Sequence, residues 1–364
     1  MSRTDYYRVL CLDGGGMRGA YTAAYLDAVA KGFAKQRGAT SLDVGAGFDL
    51  IVGTSTGALI GLALVAGVPI ERVVRMYREK GRSIFPRRVP RTLVGVIPDV
   101  FMRRSALRAG TAALRAALVE MFGTETVGQV YARRGIALAV PAVEMSRHAA
   151  WVFKTAHCPG TKNRDDGQSL VDVCLATSAA PLFRSLAVVH HPDQDGGAPH
   201  VFADGGLWAN NPVLVGLLDA LRASREGQRI QVFSLGTCPL PAGEQVPPSK
   251  VHRGLPQWRF GGDAATLSID AQEFAYDHMA RMFAEFVNKT RPCDVLRFPR
   301  QAVPAALSKH LSLDDTTPES TNALILQARN DADHANSICG DPNSREGALL
   351  CSLFRDIPFI QSQN

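Results

Sequence analysis

Residues 48–66 read FDLIVGTSTGALIGLALVA and contain the pattern that decides the fold. The apolar run 48–52 predicts a short buried strand, and the run 58–66 predicts a buried helix. Between them, Gly53-Thr54-Ser55-Thr56-Gly57 matches the GxSxG turn on which acyl hydrolases hold a serine nucleophile. The alternative is an ordinary glycine turn in which Ser55 caps the helix. The setting between a strand and a helix favours the nucleophile.

A second glycine cluster follows the first predicted strand, residues 7–12. It reads DGGGMRG over residues 13–19 and precedes an apolar periodic run, 20–34, that predicts a helix. Consecutive glycines leave N–H groups uncovered at a helix N-terminus, which favours an anion. That anion could be a pyrophosphate, since the spacing formally matches a dinucleotide fingerprint, or the oxyanion of acyl transfer. The fingerprint also needs an acid at the end of the second strand, and Asp43 lies before that strand.

A third motif, Asp204-Gly205-Gly206, follows the apolar residues 200–203. A carboxylate at the end of a buried strand can act as a general base where water is scarce. The simpler alternative is a common Asp–Gly turn. Each of the three motifs stands where the carboxyl edge of a sheet would place it. The three motifs together therefore indicate a shared functional site far more specifically than any one of them does.

The rest of the chain alternates predicted strands with predicted helices. Further strands are predicted at 136–143, 151–155 and 230–235, and further helices at 169–178, after Asn210-Asn211-Pro212 and at 264–288. Such alternation predicts an α/β fold with a mostly parallel sheet covered by helices on both faces. We expect a catalytic core over 1–240 and a helical C-terminal part over 241–364, packed together as one compact domain.

Composition narrows the class of protein. The chain has 364 residues, 46% of them hydrophobic, which excludes a disordered, collagen-like or fibrous protein. Seven scattered cysteines without a CxxC pair suggest free thiols in a reducing compartment. Residues 50–70 carry no charge, but glycines and Pro69 divide them, so we expect no membrane span and a cytoplasmic location. Histidines and carboxylates lack ligand spacing, and no metal site is predicted.

Residues 82–108 break the pattern, with seven arginines against the single acid Asp99. The net charge of +6 makes an anionic partner plausible. Interleaved basic and apolar residues would suit docking on an anionic bilayer. They would also suit a phosphate-bearing nucleotide, or a solvated surface segment without a ligand. Arg87, Arg88 and Arg91 are the candidate contact residues.

In this order and with these sequences, the three motifs resemble those of the patatin-like phospholipases over residues 7–236. The resemblance implies a three-layer sandwich around a mostly parallel sheet, with lipid acyl hydrolysis that needs no cofactor. It makes Ser55 the nucleophile and Asp204 its base. The implied oxyanion segment is Gly14, Gly15, Gly16 and Arg18. The supporting motif glycines are Gly19, Gly53, Gly57, Gly205 and Gly206.

Longer strings around these motifs resemble the bacterial branch of the family, which includes phospholipases switched on by cyclic dinucleotides in anti-phage signalling. These strings are FDLIV at 48–52, ATSAAP at 176–181 and DGGLWANNP at 204–212. The resemblance implies a membrane glycerophospholipid substrate, reached peripherally at the inner face of the membrane. It also implies a cyclic dinucleotide activator and no nucleic acid partner, and it leaves a homo-oligomer open.

Two alternatives stay open at this point. One is a Ser–His–Asp triad, because His252 or His278 lies downstream of Asp204, in the chain order of α/β-hydrolases. The other is a non-catalytic lipid- or nucleotide-binding protein on a degenerate hydrolase fold. The intact motifs argue against the second alternative.

Overall fold

The computed structural model describes residues 5–90, 93–190, 199–238, 246–254, 257–258, 262–299 and 303–360, with the backbone alone at 93–98, 100, 262 and 265. In these ranges the chain forms eight β-strands and eleven α-helices. The strands are β1 (Tyr6–Leu12), β2 (Leu50–Gly53), β3 (Ala137–Glu144), β4 (Ala149–Lys154), β5 (Ala187–Val189), β6 (His200–Asp204), β7 (Arg229–Leu235) and β8 (Cys293–Phe298). The helices are α1 (Gly19–Gln36), α2 (Thr56–Ala66), α3 (Ile70–Ile84), α4 (Leu93–Phe122), α5 (Val127–Arg134), α6 (Leu170–Thr177), α7 (Gly206–Ala209), α8 (Val213–Ala223), α9 (Gly262–Val287), α10 (Pro318–Ile338) and α11 (Arg345–Asp356).

The strands form one sheet in the order β5-β6-β3-β2-β1-β7-β8, and β4 pairs with β3. The strands β3, β2, β1, β7 and β8 run parallel, whereas β4 and β6 are antiparallel to β3 and β5 is antiparallel to β6. The predicted α/β class with a mostly parallel sheet is therefore confirmed.

Five elements were not predicted, namely β5, β8, α4, α5 and α7. Strand β5 has only three residues, and β8 lies in the part expected to be helical. Its sequence CDVLRF hides the strand because Asp294 and Arg297 interrupt the apolar run. Helix α4 spans part of the arginine-rich stretch, where Gly95 and Pro98 argue against a helix in the sequence.

Alternate residues of the central strands face two separate cores. In β1, Leu10 and Leu12 pack into the larger core, which is covered by helices that include α1, α2 and α3. Val9 and Cys11 face the smaller core, which is covered by α8 and α9. This alternation follows from the two-residue period of a strand. It produces the predicted arrangement of helices on both faces of the sheet.

The uncharged residues 50–70 form strand β2, a turn and helix α2. All of β2 is buried, and so is every residue of α2 except Ala66. Burial on all sides explains why this helix is apolar all round. Among the described residues, the helices that are long enough to cross a bilayer are not apolar enough to do so.

The fully buried Arg8 joins the first strand to the last helix. Its guanidinium donates to Gln231 of β7, and to Ser352 and Asp356 of α11. The Nη2–Oδ2 distance to Asp356 is 2.9 Å. Residues near the C-terminus therefore bond to the centre of the sheet. We propose that residues 1–240 and 241–364 form one compact domain.

We predict that Asp356→Ala lowers the free energy of unfolding by about 1–2 kcal/mol, because the Arg8 guanidinium stays buried and loses its ion pair with Asp356. Urea denaturation followed by circular dichroism measures the change. The exposed Glu226 provides the control, since Glu226→Ala should stay within about 0.5 kcal/mol of the unmodified protein. Equal stability of the two variants would contradict the prediction.

Candidate active site

Ser55 lies on a sharp turn between β2 and α2. Its backbone has φ 53° and ψ −119°, a conformation that non-glycine residues rarely adopt. The two motif glycines leave no room for a side chain. A Cβ on Gly53 would lie 2.5 Å from the Gly57 carbonyl oxygen, and a Cβ on Gly57 would lie 2.2 Å from that of Leu12. Close packing of backbone against backbone therefore supports the strained turn.

Strands β2 and β6 approach each other along one edge of β3. Strand β2 pairs in parallel with residues 137–139, whereas β6 pairs antiparallel with residues 142–144. Strand β4 pairs with residues 139–144 and so occupies the other edge. The carboxyl ends of β2 and β6 therefore point towards each other. This arrangement brings together Ser55 and Asp204, which are 149 positions apart.

The Ser55 hydroxyl donates a hydrogen bond of 2.8 Å to Oδ2 of Asp204, and Oδ1 accepts one of 2.6 Å from the Gly206 N–H. Burial raises the pKa of Asp204 to about 6. The Gly206 and Ser55 hydrogen bonds and the charge of Arg184 oppose that rise. The carboxyl group is therefore ionised at neutral pH and can accept the serine proton.

Residues 14–16 pass directly beside Ser55. The Gly14 N–H already donates to the Asn210 carbonyl, at 3.0 Å. Within the described part of the chain, the N–H groups of Gly15 and Gly16 donate to no protein acceptor, and both residues line a cavity with Ser55. These two groups can bind an oxyanion that forms on a substrate attached to Ser55. Gly14 instead anchors the loop.

The C-terminal part of the chain holds this loop in place. Gly16 has φ +54°, and a Cβ there would lie 2.4 Å from the Leu313 carbonyl oxygen, which accepts a hydrogen bond from Met17. On the other side, a Cβ on Gly19 would lie 2.4 Å from the hydroxyl of Tyr77. The loop is thus confined from two directions.

Arg18 reaches the cavity with its side chain. Its backbone N–H donates to the Gly15 carbonyl, so it is not available to an oxyanion. The side chain is buried and lines the cavity, and its Nε has no hydrogen-bond partner among the described residues. The unbonded Nε can therefore donate to a negative group in the cavity.

Two residues of the site had no predicted role. Thr177 accepts a hydrogen bond from the Ser55 N–H at 2.9 Å and donates one of 2.6 Å to the Pro141 carbonyl. It therefore connects the serine turn to β3. The Asn210 carbonyl accepts the hydrogen bond from the Gly14 N–H. In the sequence, Thr177 could have been noticed as a polar residue at the end of an apolar helix. Asn210 could have been noticed because it follows the third motif closely.

The cavity beside Ser55 has a volume of about 200 Å³. Apolar side chains of α2, α3 and α4 line much of it; they include Leu59, Met76, Ile84 and Leu114. Such a lining suits a hydrocarbon chain. The buried Arg184 also lines the cavity, donates to the carbonyls of Ile84 and Gly110, and lies over the Phe85 ring.

Two of the three arginine candidates form ion pairs within the protein. Arg87 pairs with Asp99 at 2.7 Å, and Arg88 pairs with Asp315. Arg91 lies outside the described residues. The two described arginines therefore meet carboxylates already, and a phosphate would have to compete with these carboxylates.

The two histidines considered for a triad are both exposed. His278 stacks against the Phe274 ring, and neither His252 nor His278 lines the cavity. No histidine within the described ranges lines it. Asp204 accepts the Ser55 hydroxyl hydrogen bond directly, without an intervening histidine.

One cluster has the spacing to hold a metal ion. The ligand atoms of His157, Cys158 and Asp219 lie within 4.8 Å of one another, a grouping that sequence spacing did not predict. Lys154 already places its ammonium 2.7 Å from Asp219. The cluster follows β4, whose end lies towards the amino ends of the parallel strands. It is therefore not part of the site around Ser55.

Several curated relatives cover most of this chain. A Pseudomonas aeruginosa protein named cGAMP-activated phospholipase is 35% identical over 77% of this chain and 76% of its own length. A Vibrio cholerae protein with the same name is 29% identical over 88% and 89%. An Escherichia coli protein named cUMP-AMP-activated phospholipase is 30% identical over 63% and 64%.

A family model described as patatin-like phospholipase matches residues 10–217, more than half of the chain. The matched range contains all three glycine motifs and so includes both Ser55 and Asp204. The resemblance inferred from those motifs is therefore confirmed. The chain belongs to the patatin-like phospholipase family.

Proposed function

We propose that this chain releases fatty acids from membrane glycerophospholipids through a Ser55–Asp204 dyad. The observation that carries the proposal is the 2.8 Å hydrogen bond between the serine hydroxyl and a buried carboxylate, next to two N–H groups without protein acceptors. A non-catalytic lipid-binding protein would not need this arrangement. The action we propose is peripheral, at the inner face of the membrane.

In the first half of the reaction, Asp204 takes the hydroxyl proton as the Ser55 oxygen attacks an ester carbonyl. The Gly15 and Gly16 N–H groups hold the negative charge that develops on the carbonyl oxygen. Each such donor typically lowers the barrier by about 2.7–4 kcal/mol. The ester C–O bond then breaks, Asp204 returns the proton to the departing lysophospholipid oxygen, and the acyl group remains on Ser55.

In the second half, Asp204 takes a proton from water as the water oxygen attacks the acyl-serine. The bond to Ser55 breaks, the serine oxygen recovers the proton from Asp204, and the fatty acid leaves. The apolar cavity supports this proposal because it can hold the acyl chain. Arg18, buried at the same cavity, supports a substrate with a negatively charged headgroup.

We further propose that a cyclic dinucleotide switches the activity on. The support comes from the relatives, whose names state activation by cGAMP or by cUMP-AMP. Both activators contain phosphates, for which arginine is a suitable partner. Because the relatives' names state different activators, experiment must identify the nucleotide that activates this chain.

Ser55→Ala should abolish fatty-acid release from vesicles, because the nucleophilic oxygen is lost. His252→Asn and His278→Asn should each keep hydrolysis of a soluble short-chain ester within about twofold of the unmodified protein, since neither side chain lines the cavity. Release is measured with a coupled fatty-acid assay. Loss of activity in one histidine variant that remains folded would support the triad instead.

The value of kcat/KM should fall about tenfold for each pH unit below about pH 6, because protonated Asp204 cannot accept the Ser55 proton. Above that pH the carboxyl is ionised, and its contribution to the profile is flat. Hydrolysis of a soluble short-chain ester measures the profile, and circular dichroism at each pH checks that the protein stays folded. A flat profile down to pH 4 would contradict the role given to Asp204.

Adding the matching cyclic dinucleotide should raise fatty-acid release from vesicles by at least about tenfold over the protein alone. The experiment compares cyclic dinucleotides that include cGAMP and cUMP-AMP with linear dinucleotides of the same bases. The Ser55→Ala variant is the blank. Equal release with and without every cyclic dinucleotide would exclude activation by those compounds.

A further inference from the structure

Helix α9 presents an apolar face to solvent. Its most exposed large side chains repeat at helical spacing and include Leu267, Phe274, Met282 and Phe286. Phe274 is 77% exposed and Phe286 is 66% exposed. Large apolar side chains in such a row are unusual on the free surface of a soluble domain.

This face carries little charge, and its exposed acid Glu285 lies near the end of the helix, beside Phe286. Between residues 264 and 283, the exposed residues that the structure describes include no Asp, Glu, Lys or Arg. Instead, Glu273 pairs with Arg297 on β8, and Asp277 pairs with Arg281. A surface helix usually exposes its charged residues, whereas α9 exposes none among the described residues between 264 and 283.

The exposed face continues into the rim of the cavity beside Ser55. Thr266 and Ile269 of α9 line that cavity, next to the exposed Leu267. On α7, Leu207 is both exposed and part of the cavity lining, and its carbonyl accepts a hydrogen bond from Gln272 of α9. One apolar surface thus runs from the outside of α9 to the entrance of the cavity.

We propose that this face of α9 is the surface on which the protein docks on a phospholipid bilayer, an inference that rests on the proposed function. The part of this face between residues 264 and 283, where no described exposed residue is charged, can enter the boundary between headgroups and acyl chains. At its end, the exposed Lys289 holds its ammonium over the Phe286 ring, where anionic headgroups would attract it.

A second copy of the chain fits this surface less well than a bilayer does. A protein seated on α9 would cover Leu207 and Thr266 at the cavity rim and hinder substrate entry. A bilayer in the same place supplies the substrate. A lipid leaving it would pass along apolar side chains to Ser55 without crossing water.

The test compares Phe274→Ser/Phe286→Ser with the control Val119→Ser/Leu326→Ser, which removes two exposed apolar side chains from α4 and α10. Binding is measured by sedimentation with phosphatidylethanolamine–phosphatidylglycerol vesicles, in a Ser55→Ala background that leaves the lipids intact. Hydrolysis is measured separately with Ser55 present, on the same vesicles and on soluble p-nitrophenyl butyrate. Neither mutated phenylalanine lines the cavity.

We expect the α9 variant to lose about tenfold or more in vesicle binding and vesicle hydrolysis, while hydrolysis of the soluble ester stays within about twofold. The control variant should match the unmodified protein in all three assays. Vesicle binding by the α9 variant equal to that of the control would overturn the proposal. If the α9 variant also showed a lower oligomer mass by light scattering, the face of α9 would be identified as a protein interface.

The two proposals fail separately. If the unmodified protein hydrolyses neither substrate in the presence of any of the cyclic dinucleotides but binds vesicles through α9, the docking surface stands and the proposed function does not. If it hydrolyses both substrates and the α9 variant matches the control on vesicles, the function stands and the docking surface does not.

Discussion

The site depends on two strands that meet end to end along one edge of β3. Strand β2 runs with β3 and β6 runs against it, so their carboxyl ends converge. The serine turn and the carboxylate are thereby brought into hydrogen-bond contact. Gly205 keeps the junction tight, because a Cβ there would lie 2.2 Å from the Pro141 carbonyl oxygen. Any shift in the register of β6 would separate Ser55 from Asp204.

Burial affects both the proposed base, Asp204, and the cavity that would hold the acyl chain of the substrate. Because the surroundings are poor in water, Asp204 becomes a stronger base than an exposed aspartate, yet it remains ionised at neutral pH. The nearby charge of Arg184 limits the rise in its pKa. The same apolar cavity can hold an acyl chain against Ser55. Substrate fit and base strength therefore have one physical origin.

The part of the chain beyond the family match contributes to the site. Arg297 of β8 pairs with Asp13, directly before the glycine loop, and with Glu273 of α9. The Leu313 carbonyl holds the loop at Met17. The proposed docking helix α9 is thus joined by one arginine to the segment that is proposed to bind the oxyanion. These contacts connect residues that are almost 300 positions apart.

Local sequence determined the fold class, the strand–turn–helix around Ser55 and the three glycine motifs, because backbone geometry at tight turns requires particular small residues. Composition and spacing could not reveal that Thr177 binds the serine turn, that Gly14 is an anchor, or that Arg87 and Arg88 already have partners. They also concealed β8 and the outward apolar face of α9. Each of these depends on contacts between distant segments, and only the packed tertiary structure decides which side of an element meets the core and which meets solvent.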